Sequence, residues 1–299
     1  MTLDDTAPRI HAIYAVAGDC DLFEVSLRSI YDQVDGITVI TGYDRDWSGT
    51  ERTSASTIAR ILSRELDPEG RIQVLIDRET NEARTRNRAM EFAAPSRKAR
   101  RVRQQSDHDS MMRPPDYFLI IDADEVYEAG AIERLREYVR AYPRRRYRIA
   151  GIRYFKRWNW RVTGTEYSIS LLRSDIRLPY LRRLCVPVVR RGAARIPWMP
   201  RRLRSIALGY TDIPADVVCF HHGSYVGPRA RILEKLASFG HADEVPADWM
   251  ARIWDGFDPS MRNFNPAYPT VYASCEEVSL GALPPEIRDH SWPAGYLDR

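Results

Sequence analysis

The most constraining stretch of the chain is Asp116-Tyr117-Phe118-Leu119-Ile120-Ile121-Asp122-Ala123-Asp124-Glu125. Its apolar run lacks the polar alternation of a strand that faces water on one side. It therefore reads as a strand buried on both faces, as in a parallel sheet wrapped by helices. The run ends abruptly in three carboxylates within four residues. Carboxylates crowded at a strand end repel one another and are costly to desolvate, so a cation is the natural compensation. Oxygen ligands favour Mg²⁺ or Mn²⁺, which can bridge the two phosphates of a nucleoside diphosphate. A solvated loop entering the acidic first turn of a helix would account for Glu125 and Glu128. It does not account for Asp122, which abuts the strand.

The rest of the first half repeats the same rhythm. Strands are predicted at 10–16, 37–41, 71–76 and 117–121, and helices at 21–33, 54–66, 81–93 and 129–141. In such sheets ligands bind beyond the carboxyl ends of the strands. The four loops there, Ala17-Gly18-Asp19, Gly42 to Asp46, Asp77-Arg78-Glu79 and Asp122 to Glu125, each carry a carboxylate. After residue 146 the pattern becomes β-rich, near 147–155, 166–173 and 215–220, which implies mixed or antiparallel pairing. A helix is expected at 228–240, followed by an aromatic-rich tail from Glu244. The expected organisation is a nucleotide-binding half at 1–146, an acceptor-side and metal-completing half at 147–243, and the tail at 244–299.

Length and composition are those of a folded enzyme: 299 residues, 44% hydrophobic and 29% charged. No run approaches the roughly 18 apolar residues of a membrane span, and MTLDDTAPRI lacks the order of a secretory signal. A cytoplasmic location is the expectation. Cys20, Cys185, Cys219 and Cys275 are scattered singly, without the short spacing of a metal or redox pair, and read as reduced structural thiols. The charge is laid out unevenly. Ten arginines fall between Arg173 and Arg204 against one acidic residue, Asp175. That stretch, with Lys235, suits an acidic acceptor, a lipid phosphate at a membrane surface, or the phosphates of a donor. The basic and polar segment 96–113 reads as a mobile surface loop.

A second constellation is Val217-Val218-Cys219-Phe220-His221-His222-Gly223, a strand that delivers two histidines just before a glycine. Adjacent strand residues point to opposite faces, so one of the pair reaches any given site, and His222 is favoured. Trp158 and Trp160 alternate on one strand and are candidates for sugar or acceptor contact, with core packing expected for at least one.

These features resemble the family-two-like glycosyltransferases of GT-A fold. The likeness lies in the opening strand-loop-helix, in Arg84-Thr85-Arg86-Asn87-Arg88-Ala89, which looks like the family's Arg-Asn-x-Ala helix start, and in the Asp-x-Asp strand end. It spans most of residues 10–140. The resemblance implies that Asp122 faces the nucleotide ribose or the metal and that Asp124 ligates the metal on the diphosphate. It puts Arg86 near the nucleotide and Asp44 near its base or ribose, with Tyr43-Asp44-Arg45-Asp46 replacing the family's Asp-Asp-Gly-Ser. It also implies a histidine, His222 or His221, as a third protein ligand.

The implied activity is transfer of a sugar from a nucleoside-diphosphate donor, UDP-linked, to an acceptor hydroxyl or amine, with Mn²⁺ or Mg²⁺. An inverting enzyme also needs a carboxylate base, for which Glu166, Asp175 and Asp212 are the candidates. A nucleotidyltransferase shares these ingredients but is typically richer in phosphate-binding glycines than Ala15-Val16-Ala17-Gly18. A non-catalytic basic module is the other alternative, although no nucleic-acid motif accompanies the arginines and no nucleic-acid partner is expected.

Overall fold

The computed structural model describes residues 7–16, 20–41, 63–77, 82–94, 114–174, 210–238 and 242–298. Most of the expected helix at 54–66, the loop at 96–113, most of the arginine-rich stretch, and Asp44 and Asp175 lie outside these residues; of that helix, residues 63–66 are described and form a turn.

The described chain is a mixed α/β structure built on a 10-stranded sheet with helices flanking it, consistent with a Rossmann-like arrangement. Four strands form a parallel half: β1 (Ile10–Val16), β2 (Gly36–Thr41), β3 (Ile72–Ile76) and β4 (Tyr117–Asp122), in the spatial order β3-β2-β1-β4. The near-continuous burial of β1, β2 and β4 reflects helices α1 (Cys20–Ile30) and α2 (Glu82–Ala93) packed over the sheet. The chain leaves β1 toward β2 on one side and returns to β4 on the other, so β1 and β4 border the topological switch point.

The sheet continues without a break past residue 146. β4 pairs antiparallel with β7 (Glu166–Arg173), and β7 pairs antiparallel with β6 (Arg146–Val162). β6 runs parallel to β8 (Thr211–Asp212) and β9 (Cys219–Val226), and its far end pairs with β10 (Cys275–Glu277). At 17 residues β6 is about twice the length anticipated. Its apolar positions past Tyr154 are buried by the tail. Phe155 packs against Trp249, Trp254, Phe264 and Tyr272, while Trp158 packs against Tyr154 and Trp292.

One short element went unanticipated. Glu125–Tyr127 forms β5, antiparallel to β9, ahead of helix α3 (Ala131–Ala141). Three residues make a weak strand, and α1 supports its other edge. Ser26 Oγ donates to the Glu125 carbonyl, Ser29 Oγ accepts from the Tyr127 amide at 3.1 Å, and Gln33 Nε2 reaches the Glu128 carbonyl at 3.2 Å. Polar residues on the inner face of α1 thus complete a strand that would otherwise leave buried backbone unpaired.

His11 gives the parallel half a pH dependence. Its Nε2 lies 2.8 Å from Thr38 Oγ1, and its ring occupies the space a Cβ on Gly36 would need. Burial lowers its pKa from 6.5 to about 4, with Asp35 opposing and Arg9 adding to the shift. The folded state holds the ring neutral, whereas the unfolded chain protonates it below its ordinary value. This stabilisation is therefore present above pH 6.5 and is lost as pH falls toward 4, amounting to about 2 kcal/mol by pH 5. Urea unfolding at pH 7 and pH 5 should show this loss in the wild type and a correspondingly smaller one in His11→Gln.

Candidate functional site

The register Ala15↔Asp122 puts Asp122 at the carboxyl end of β4 beside the end of β1, in the crevice at the switch point. A tight turn through Ala123 and Asp124 leads into β5, whose pairing Glu125↔His222 brings β9 alongside. The Gly223 amide donates to the Asp124 carbonyl at 2.8 Å, which fixes the turn against that strand. About a hundred residues apart in sequence, Asp122, Asp124 and His222 have ligand atoms within 4.8 Å of one another.

Each carboxylate has cationic company. Arg86, from α2, donates to Asp122 Oδ1 with its guanidinium almost wholly buried. Lys235, from helix α4 (Arg229–Ser238), lies 2.8 Å from Asp124 Oδ2, and His222 Nε2 lies 3.2 Å from Asp124 Oδ1. Burial works against ionisation of Asp124, but the Lys235 ammonium and His222 outweigh it and hold the carboxyl well below its usual range. For His222, burial disfavours the charged ring, and Asp124, Glu125 and Glu166 together raise its pKa above the ordinary value. Two carboxylates and one imidazole this close together could hold a metal ion.

β6 forms the next wall. Arg153 is the in-register neighbour of His222, with its guanidinium over the Tyr272 ring and 3.3 Å from Glu166. Glu166, 40% exposed, pairs with Arg153, and its charge is the smallest of those that raise the His222 pKa. Asp212 lies elsewhere. It is clamped by Arg148 at 2.6 and 2.7 Å, five residues back along β6. At ~3.3 Å per residue that is on the order of 16 Å from Arg153.

The two histidines part company as strand alternation requires. His221 faces the other side of β9, toward Tyr154 and Glu128, away from Asp122 and Asp124. Trp158 is fully buried and Trp160 packs on Phe257. Trp158 also accounts for Gly223. A Cβ there would stand 2.6 Å from the indole ring, so glycine is needed for close packing and not for a left-handed backbone. Gly223→Ala should cost about 1–3 kcal/mol by overpacking, read as a lowered thermal midpoint. It should also weaken metal binding, because His222 is the adjacent residue.

The sequence marks Lys235 as one of several phosphate-binding cations but does not show its partner Asp124. It gives Tyr272 no mark and Arg153 only a faint one. The available signal was Arg153 itself, a lone charge inside the apolar run Ile149 to Phe155.

No protein-family model matches the chain, and no curated protein matches it in sequence. Among solved structures it is similar to residues 1–349 of S. aureus TarS, at 10% identity and a TM-score of 0.41. The match covers 76% of this chain and 63% of that one, so the chain spans less than two thirds of its length. A likeness at this level carries no argument about the site.

Proposed function

We propose that the chain is a GT-A-type, metal-dependent glycosyltransferase that moves a sugar from a UDP-linked donor to an acceptor hydroxyl or amine. The observation that carries this reading is the convergence of Asp122, Asp124 and His222 at the carboxyl end of β4, beside the switch point of a parallel half-sheet. These three residues would hold Mn²⁺ or Mg²⁺, and such a cation, when bound, neutralises charge developing on the departing diphosphate.

The chain's own groups fill the remaining roles. Arg86 fixes the Asp122 carboxylate, and Lys235 supplies a second positive charge beside Asp124. Glu166 is assigned as the base that takes the acceptor's proton, being a partly exposed carboxylate paired with Arg153, the in-register neighbour of His222. Asp212 is committed to Arg148 and receives no such role. Asp44 is assigned to the base or ribose, and the arginines between 173 and 204 to an anionic acceptor, free or at a membrane surface. Among the described residues no helix is long and apolar enough to cross a membrane.

The test is to incubate the protein with UDP-hexoses, with Mn²⁺ or with chelator, and to measure the nucleotide products. Release of UDP that depends on the metal is the expected result. Metal-dependent pyrophosphate exchange would point to nucleotidyl transfer instead. Absence of both, together with steeply salt-dependent RNA or DNA binding, would support the basic module.

A further inference from the structure

The same strand alternation that sends His222 to one side of β9 builds a second group of ligating side chains on the other. The β5–β9 ladder pairs Val126 with His221 and Tyr127 with Phe220. Continued by one step, it sets Glu128 opposite Cys219. Cys219 and His221, two residues apart, share that face. The ligand atoms of Glu128, Cys219 and His221 lie within 4.8 Å of one another.

The imidazole is held in a particular orientation. The His221 ring is stacked on Tyr154 with centroids 5.8 Å apart and planes at 25°, and its Nδ1 is 2.9 Å from the Tyr154 hydroxyl. Both side chains are buried, and the remaining nitrogen, Nε2, faces Glu128 at 3.4 Å. A polar partner on one ring nitrogen that fixes the tautomer and presents the other is the usual support of a metal-bound histidine. Arg134, anchored on the Val217 carbonyl at 2.8 Å, lies 3.4 Å from the Glu128 carboxylate and offsets its charge.

We propose that Glu128, Cys219 and His221 form a Zn²⁺ site, separate from the Asp122, Asp124 and His222 centre and backing onto it across β9. One sulfur, one nitrogen and one oxygen donor select a borderline-soft ion, whereas two carboxylates and a histidine suit a hard one. Glu128 is 41% exposed and Cys219 half-buried, so a fourth position opens to water. Binding is balanced as follows. The Cys219 thiol gives its proton to solvent. The His221 ring proton resides on Nδ1 and is donated to the Tyr154 oxygen, leaving the Nε2 lone pair for the metal. No electron transfer is involved. The ion would tie β9, the strand that delivers His222, to the segment joining β5 and α3.

The proposal does not rest on glycosyl transfer, and Co²⁺ as a probe tests it on the full metal-free chain. One Co²⁺ per chain should bind with a near-ultraviolet thiolate-to-cobalt charge-transfer band that Zn²⁺ abolishes. Cys219→Ser should remove the band, and Tyr154→Phe should weaken Co²⁺ binding about 10- to 100-fold. Asp124→Asn should leave the band intact, so loss of the donor centre and loss of this site are distinguishable. A wild-type chain without the band, or a band that persists in Cys219→Ser, overturns the assignment. Should Cys219→Ser fail to fold, alkylation of wild-type Cys219 by iodoacetamide, read by peptide mass spectrometry, serves instead. Protection by Zn²⁺ but not by Mg²⁺ supports the site, and equal alkylation with and without Zn²⁺ removes it.

Discussion

Asp124→Asn is expected to lower metal-dependent turnover by about 100- to 1000-fold, the scale of losing a main electrostatic contact at the centre of charge development. The substitution keeps the shape of the side chain and removes its charge. The amide oxygen can still accept from Lys235, so the fold is retained and the change isolates electrostatics from packing. Asp124 is the residue on which Lys235 and His222 converge, at 2.8 and 3.2 Å. Neutralising it leaves a site whose nearest cation repels a divalent ion. Mn²⁺ titration followed by thermal midpoint, alongside UDP release, separates the two effects. The metal-induced stabilisation should fall with the turnover. Near-normal metal-dependent turnover in Asp124→Asn would remove this residue from the site.

Much of the parallel half was legible because its physics is local. The short, β-branched and aromatic runs at 10–16, 37–41 and 117–121, apolar but for His11, Thr38 and Thr41, read as strands, and β1, β2 and β4 lie within one residue of those bounds. The separation of His221 from His222 was equally legible, since it follows from the period of a strand. What sequence could not show was pairing. Glu125 to Tyr127 reads as an acidic approach to a helix, and it becomes a strand only because β9 lies on one side and the serines of α1 on the other. The same pairing brings Cys219, solitary in sequence, to Glu128 and His221. Gly223 has its reason for being glycine in the Trp158 ring, delivered by a different strand. Spacing along the chain carries no information about such neighbours.

The charge balance around Asp124 leads to a second large effect, in Lys235→Met. The ammonium takes the Oδ2 oxygen of Asp124, and it is 20% exposed against 9% for its partner, so both groups are largely withdrawn from water. Removing one member of such a pair should destabilise the metal-free protein by about 3 kcal/mol, the low end of the range for a broken buried pair. Metal affinity should move the other way. A divalent ion entering the site competes with a charge-assisted hydrogen bond worth about 1.5–3 kcal/mol. Removing that competitor should tighten Mn²⁺ binding about 10- to 100-fold. Met retains an apolar stem of similar length, which keeps the loss of packing small, and gives up the ammonium's position 5.9 Å over the Tyr225 ring. Calorimetric titration of Mn²⁺ into the metal-free variant, with thermal midpoints at zero and saturating Mn²⁺, reads both quantities. A lowered midpoint that Mn²⁺ restores, with tighter binding, is the expected pair of results. Unchanged or weaker Mn²⁺ binding would mean that the ion does not compete with Lys235 for Asp124. Turnover then reports on the diphosphate. If Lys235 also neutralises the leaving group, Lys235→Met binds metal more tightly and yet turns over more slowly, a combination that a purely structural lysine would not produce.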